Sequence, residues 1–230
     1  MKTIGLLGGM SWESTTSYYH FINTGVKAKM GGLHSAKIFM HSVDFHELEQ
    51  LMQKDDWDAT AEYLTAAAKR VETAGADFLV ICTNTMHKVA PQIEAAISIP
   101  VLHIADATAE RLVNDGISRA GLLGTRFTMA HDFYKGRIAQ RYGIEVRVPD
   151  RQSQNIVDDI IFKELCLGRI NPDSRRRYLD VIDRLRQDGA QAVILGCTEI
   201  GLLIHPDDTE VPLYDTTQIH AASAVEMAVS

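Results

Sequence analysis

Two polar clusters in this 230-residue chain carry side chains suited to proton chemistry, and each directly follows an apolar run: Cys82-Thr83-Asn84-Thr85 and Gly196-Cys197-Thr198-Glu199. Cys197 follows a glycine and precedes a hydroxyl and a carboxyl group. A thiol so placed is a candidate nucleophile or general base once its pKa is lowered. Cys82 belongs to an alternating run that should point it away from Thr83, so it reads as packing. Cys166 closes the amphipathic stretch Ile156–Leu167 and reads the same way. Gly8-Gly9-Met10-Ser11 invites a phosphate-loop reading, but it is not GxGxxG, and no GxxxxGK[ST] occurs in the chain. A glycine turn whose amides face a carboxylate at a helix N-terminus suits these residues better, with Met10 as an aperture wall or as packing. The nine histidines form no HExxH and no cluster with metal-ligand spacing, and no CxxC pair exists, so no metal is expected. His87, four residues after Thr83, either shapes the hydrogen bonding around the cluster or is structural. Arg175–Arg177 reads as a solvated helix face.

Such clusters need rigid elements behind them. Strands are expected at Thr3–Leu7, Lys37–His41, Phe78–Cys82, Val101–His103, Ala120–Leu123, Glu145–Val148, Ala192–Leu195 and Val211–Leu213, with helical periodicity between them. Trp57, Ala61, Leu64, Ala68 and Val71, for example, share one helix face. The alternation predicts an α/β fold with mostly parallel sheets, whose ligands bind beyond the carboxyl ends of the strands. The chain also repeats itself. Ile4–Gly8 matches Ala120–Gly124 at an offset of 116, Gly75–Thr83 matches Gly189–Cys197 at 114, and Ile99–Leu102 matches Val211–Tyr214 at 112. Two similar halves follow, with a pseudo-twofold relation: a first domain of 1–105 plus 207–230 and a second of 106–206. The stretch after Pro206 should cross back to the first domain as a last strand and helix. Under the repeat, Thr83 is the mate of Cys197 and Cys82 the mate of Gly196. If the halves face each other, the two clusters meet across one cleft.

Composition removes several other classes. Lys and Arg number 23 against 30 Asp and Glu, a net charge of −7, and no basic block exceeds three residues, which disfavours nucleic acid as a partner. No apolar run approaches the roughly 18 residues of a membrane helix, and the short apolar start followed by Trp12 and Glu13 reads as a strand, not a signal peptide. Three widely spaced cysteines suggest reduced thiols in a cytoplasmic protein.

Taken together, the Gly8–Ser11 turn, Asn84-Thr85-Met86-His87, Gly124-Thr125 and Gly196-Cys197-Thr198-Glu199 resemble the cofactor-independent aspartate/glutamate racemase family over nearly the whole chain, and in particular its enterobacterial L-aspartate/glutamate-specific or broad-specificity members. The resemblance implies two pseudo-symmetric Rossmann-like domains, each a mostly parallel sheet flanked by helices, with the active site in the cleft between them. It implies an amino-acid substrate, no cofactor and a homodimer. The family pattern has a cysteine directly before Asn-Thr and another before Thr-Glu. Cys197 matches the second, whereas Thr83 stands at the first and Cys82 is displaced by one residue. The resemblance therefore assigns Thr83 and Cys197 as the catalytic pair, and Met10, Asn84, Thr85 and Thr198 as substrate contacts. The family's basic carboxylate contacts are not clearly matched, although Leu51–Lys54 and Lys163 lie near the expected places. Alternatives with the same architecture are maleate isomerases, hydantoin racemases and arylmalonate decarboxylases. An amino-acid-binding paralogue without catalysis is the contrasting class.

Overall fold

A computed structural model describes residues 1–230. In chain order the first part carries β1 (Ile4–Gly8), α1 (Trp12–Met30), β2 (Ile38–Ser42), α2 (Phe45–Gln53), α3 (Trp57–Thr73), β3 (Phe78–Ile81), α4 (Ala90–Ala96) and β4 (Val101–Leu102). The second carries α5 (Ile104–Asn114), β5 (Arg119–Gly124), α6 (Arg126–Ala130), α7 (Asp132–Tyr142), β6 (Glu145–Arg147), α8 (Arg151–Lys163), α9 (Pro172–Gln187), β7 (Ala192–Gly196), β8 (Leu213–Asp215) and α10 (Thr216–Val229). Every expected strand is present within two residues at either end. The largest shift is at β8, which begins after Pro212. Proline has no N–H to give a ladder, so Pro212 contributes only its carbonyl, accepting from Val193 N at 2.9 Å.

The strands form two parallel four-stranded sheets, ordered β2-β1-β3-β4 and β6-β5-β7-β8. The internal repeat is thus a repeat of topology: β1 corresponds to β5, β3 to β7 and β4 to β8. The chain divides into one compact unit of Met1–His103 with His220–Ser230, and another of Ile104–Ile219. This departs from the expected boundaries. The last strand does not cross back, because Leu213–Asp215 ladders onto Val193–Leu195 in the second sheet. Only the helix after it, from His220 onward, groups with the first unit.

Both sheets are covered on two faces, as all-parallel sheets must be. In the first unit Ile4, Leu6, Phe78 and Val80 pack with Tyr18, Ile22 and Val26 of α1 and with Ala221, Ala224 and Val225 of α10. The opposite face takes α3 so closely that a Cβ on Gly5 would lie 2.5 Å from Val71 Cγ1. In the second unit Val193 and Leu195 face α8 and α9 through Val157, Ile161, Tyr178 and Ile182. Ala192 and Ile194 face α5 and α7 through Leu112, Tyr134 and Ile138. Helix entries are fixed by side-chain caps: Ser11, Asp44, Asp56, Asp150 and Asn171 each accept from a backbone N–H of the first turn. No helix is long and apolar enough to cross a membrane.

Candidate active site

The period-two alternation of β3 separates the neighbours Cys82 and Thr83. Phe78, Val80 and Cys82 are in phase and share one core with α1 and α10. Cys82 is fully buried there, with its thiol 3.8 Å from Val80 O, and burial pushes that thiol far above its ordinary range. Thr83, one residue on, is out of that phase and 8% exposed. The protein grips the chain at this point from two sides. Ser14 Oγ donates to Cys82 O at 3.1 Å, and the His87 imidazole lies 2.7 Å from Thr83 O through Nδ1. A carbonyl only accepts, so the Nδ1 carries the proton. Asn84 and Thr85 are buried at the head of the 3₁₀ turn Thr85–Val89, where Asn84 O accepts from His87 N at 3.1 Å.

His87 belongs to a buried imidazole cluster that the sequence pattern does not reveal. Its ring centroid is 4.5 Å from that of His103 and 5.9 Å from that of His220. His220 Nε2 donates to Leu102 O at 2.7 Å, which leaves Nδ1 to accept from Tyr18 OH at 2.8 Å. With both nitrogens committed and the ring buried, its pKa is pulled down to about 4, so it is neutral near pH 7. No three His, Cys, Asp or Glu side chains converge in an arrangement that could hold a metal ion.

The glycine turn after β1 is explained from inside the protein. A Cβ on Gly8 would meet Thr15 Cγ2 at 2.4 Å, and Gly9 has φ +93° with Val43 O 2.2 Å from where a Cβ would stand. The expectation that these amides face a ligand carboxylate needs correction at Gly9: its N–H donates to Thr15 Oγ1 at 2.8 Å, and that hydroxyl donates to Ser11 O at 2.9 Å. Met10 is buried at this turn, 3% exposed.

In the second unit the phase runs the other way. Val193, Leu195 and Cys197 share the core under α8 and α9, so Cys197 occupies the position that the repeat assigns to Thr83. The approach of β5 to β7 requires glycine at both strand ends: a Cβ on Gly124 would lie 2.8 Å from Gly196 O, and one on Gly196 would lie 2.9 Å from Leu123 O. Past the strand the chain turns, and Glu199, 3% exposed, comes back over the thiol. Cys197 Sγ donates to Glu199 Oε2 at 3.0 Å, and Thr198 Oγ1 donates to the same oxygen at 2.7 Å. Burial first, and then the Glu199 charge and the nearby Cys166, hold the Cys197 thiol well above its ordinary value. This corrects the expectation of a thiol lowered by its surroundings: Cys197 rests protonated, on a carboxylate. Glu199 stands in the Gly196–Glu199 cluster without a role that its residue type alone assigns. The available signal was a carboxylate two residues after a thiol at a strand end.

The two suggested basic side chains lie at the surface. Lys163 is exposed and pairs with Asp159 at 2.8 Å, and Lys54 is exposed at the end of α2. Arg175–Arg177 lies on α9, where Arg175 Nε donates to Leu203 O at 2.9 Å and Arg176 pairs with Asp173.

A sequence profile of the Asp/Glu/hydantoin racemases matches residues 7–224. The chain is 54% identical to a candidate Asp/Glu racemase from Yersinia pestis, over 100% of both chains with a TM-score of 0.94. It is 32% identical to an aspartate racemase homologue from Pyrococcus horikoshii OT3, again over 100% of both chains, with a TM-score of 0.85. The broad-specificity amino-acid racemase RacX of Bacillus subtilis (strain 168) is 24% identical over 173 residues, 74% of this chain and 73% of that protein.

Proposed function

The chain belongs to the Asp/Glu/hydantoin racemase family, and from that premise we propose that it is an amino-acid racemase that inverts Cα of L-aspartate or L-glutamate, or of a broader set of amino acids. One observation carries the reading. Two sheets of identical strand order bear, at repeat-equivalent positions after their third-placed strands, a hydroxyl at Thr83 and a thiol at Cys197. Inversion needs one group to take the Cα proton and another to supply one on the opposite face. Cys197 takes it from the L-enantiomer, and Thr83 serves the other side. Asn84, Thr85 and Thr198 stabilise the substrate carboxylate as negative charge grows next to it, and Met10 closes the site wall. The Asp/Glu relatives and the broad-specificity Bacillus protein support an amino acid as substrate.

Glu199 completes the proton balance. Its carboxylate takes the Sγ proton, and the thiolate so formed takes the Cα proton. The C–H pair remains on Cα, stabilised next to the carboxylate. Thr83 then delivers a proton to the far face, and water restores the proton lost by Thr83 and removes the one gained by Glu199. No electron acceptor, metal or pyridoxal phosphate enters this sequence. The same reading takes the enzyme as a cytoplasmic homodimer.

Purified protein incubated with L-Glu, L-Asp and a panel of other L-amino acids is assayed by chiral chromatography. D-enantiomer should form in EDTA without added pyridoxal phosphate, and Cys197→Ala should abolish it. Absence of product across the panel, or activity that appears only with pyridoxal phosphate or a metal, overturns the reading.

A further inference from the structure

We propose that His87, assisted by Ser14, is a positioning residue that holds the Thr83 main chain in the register that presents its hydroxyl, rather than the Cys82 thiol, to substrate. The inference rests on the racemase reading above and goes beyond it. β3 ends at Ile81, so neither Cys82 nor Thr83 is fixed by a continuing strand; the backbone bonds there are Cys82 N to Leu7 O and the tight turn from Thr83 N to Ile81 O, each 2.9 Å. A slip of one residue here would exchange a hydroxyl for a thiol, because successive side chains point to opposite faces. Two buried donors oppose that slip. Ser14 Oγ, on the first turn of α1, bonds Cys82 O at 3.1 Å, and His87 Nδ1 bonds Thr83 O at 2.7 Å. The two carbonyls belong to consecutive peptides, so together these donors orient both. Neither donor is itself on a mobile support. Ser14 is 3% exposed and His87 1% exposed, and the His87 ring packs against His103. Neither bond serves the Cys197 side.

That one-sidedness supplies the test. Racemisation needs Thr83, whereas deuterium wash-in at Cα of the L-substrate in D₂O needs Cys197 to remove and return a proton on its own face. A donor that positions Thr83 therefore affects the first rate and spares the second. His87→Leu should lower kcat for formation of the D-enantiomer about 10²-fold, the scale of a catalytic group displaced by about 1 Å. Wash-in on the L-substrate should stay within about threefold of wild type. His87→Asn, whose side-chain N–H can stand near the former Nδ1, should recover most of the loss. Ser14→Ala, a smaller perturbation, should shift the ratio of the two rates in the same direction. Equal falls in both rates for His87→Leu and Ser14→Ala, or failure of His87→Asn to differ from His87→Leu, would overturn the proposal while leaving the racemase reading intact. A wild-type protein without either rate would overturn that reading and this role with it.

Discussion

Replacing Glu199 with glutamine should move two properties of Cys197 in opposite directions. The carboxylate oxygen is 3.0 Å from Sγ. With an effective dielectric constant of about 20, a thiolate and the half charge on that nearer oxygen alone repel by roughly 3 kcal/mol, and the second oxygen adds to this. Removing the charge eases ionisation of the thiol by about 10²-fold. A more acidic thiol is also a weaker nucleophile, with a Brønsted slope of about 0.5, so alkylation near pH 7 should accelerate by about tenfold. Turnover should do the reverse. The amide cannot take the Sγ proton, and loss of a general base costs about 10²- to 10⁴-fold. The amide oxygen can still accept from Thr198 and Cys197, so the fold should survive, as a melting curve will show. The assay is iodoacetamide labelling mapped to the Cys197 peptide by mass spectrometry, beside chiral chromatography of the product. If Glu199→Gln alkylates faster and also turns over as fast as or faster than wild type, the carboxylate only suppresses ionisation, and the assigned proton acceptor is wrong.

Cys82→Ala should lower the melting temperature, because it opens a void among Phe78, Val80 and Tyr18, yet leave kcat within about threefold; a collapse of kcat at unchanged stability would make Cys82 the acid/base group. Thr83→Ala should impair racemisation more than deuterium wash-in from the L-substrate, and Thr83→Cys should raise turnover of D-substrates; a Thr83→Ala protein indistinguishable from wild type refutes its role. For His220, held to about 4 when folded against an ordinary 6.5, the unfolded chain binds the extra proton as pH falls. Its contribution to stability is therefore full above pH 6.5 and is lost toward pH 4, on the order of 3 kcal/mol; denaturation curves at pH 7 and 4.5 for wild type and His220→Gln should show the steeper loss in wild type.

The sheets were legible because parallel strands buried on both faces leave unbroken apolar runs, and because the repeat aligned them in order. Strand alternation also put Cys82 and Thr83 on opposite faces, as the burial of Cys82 with Phe78 and Val80 has it. What escaped was non-local. Gly9 looked like a ligand-facing amide, and only the arrival of Thr15 from α1 shows that its N–H is already committed. His103 and His220 are 117 residues apart in sequence, so no spacing rule could join them to His87. The ionisation of Cys197 depends first on burial under α8 and α9, which no linear pattern encodes, whereas the Glu199 carboxylate two residues on was a local signal. The boundary near 207–219 failed for a similar reason: β8 ladders with β7, whereas the helix that continues from it packs with α1.

The C-terminal helix gives the two units different histories during synthesis. Residues Ile104–Ile219 are contiguous and can close their sheet as they emerge from the ribosome. The first unit cannot: Ala221, Ala224, Val225 and Ala228 fill its core, and Lys2 N donates to Ala228 O at 2.8 Å. Until α10 joins, α1 alone covers that face of the first sheet, and the apolar surface that α10 fills stays open. The half made first is therefore the one that keeps apolar surface open for longest, the condition that favours aggregation.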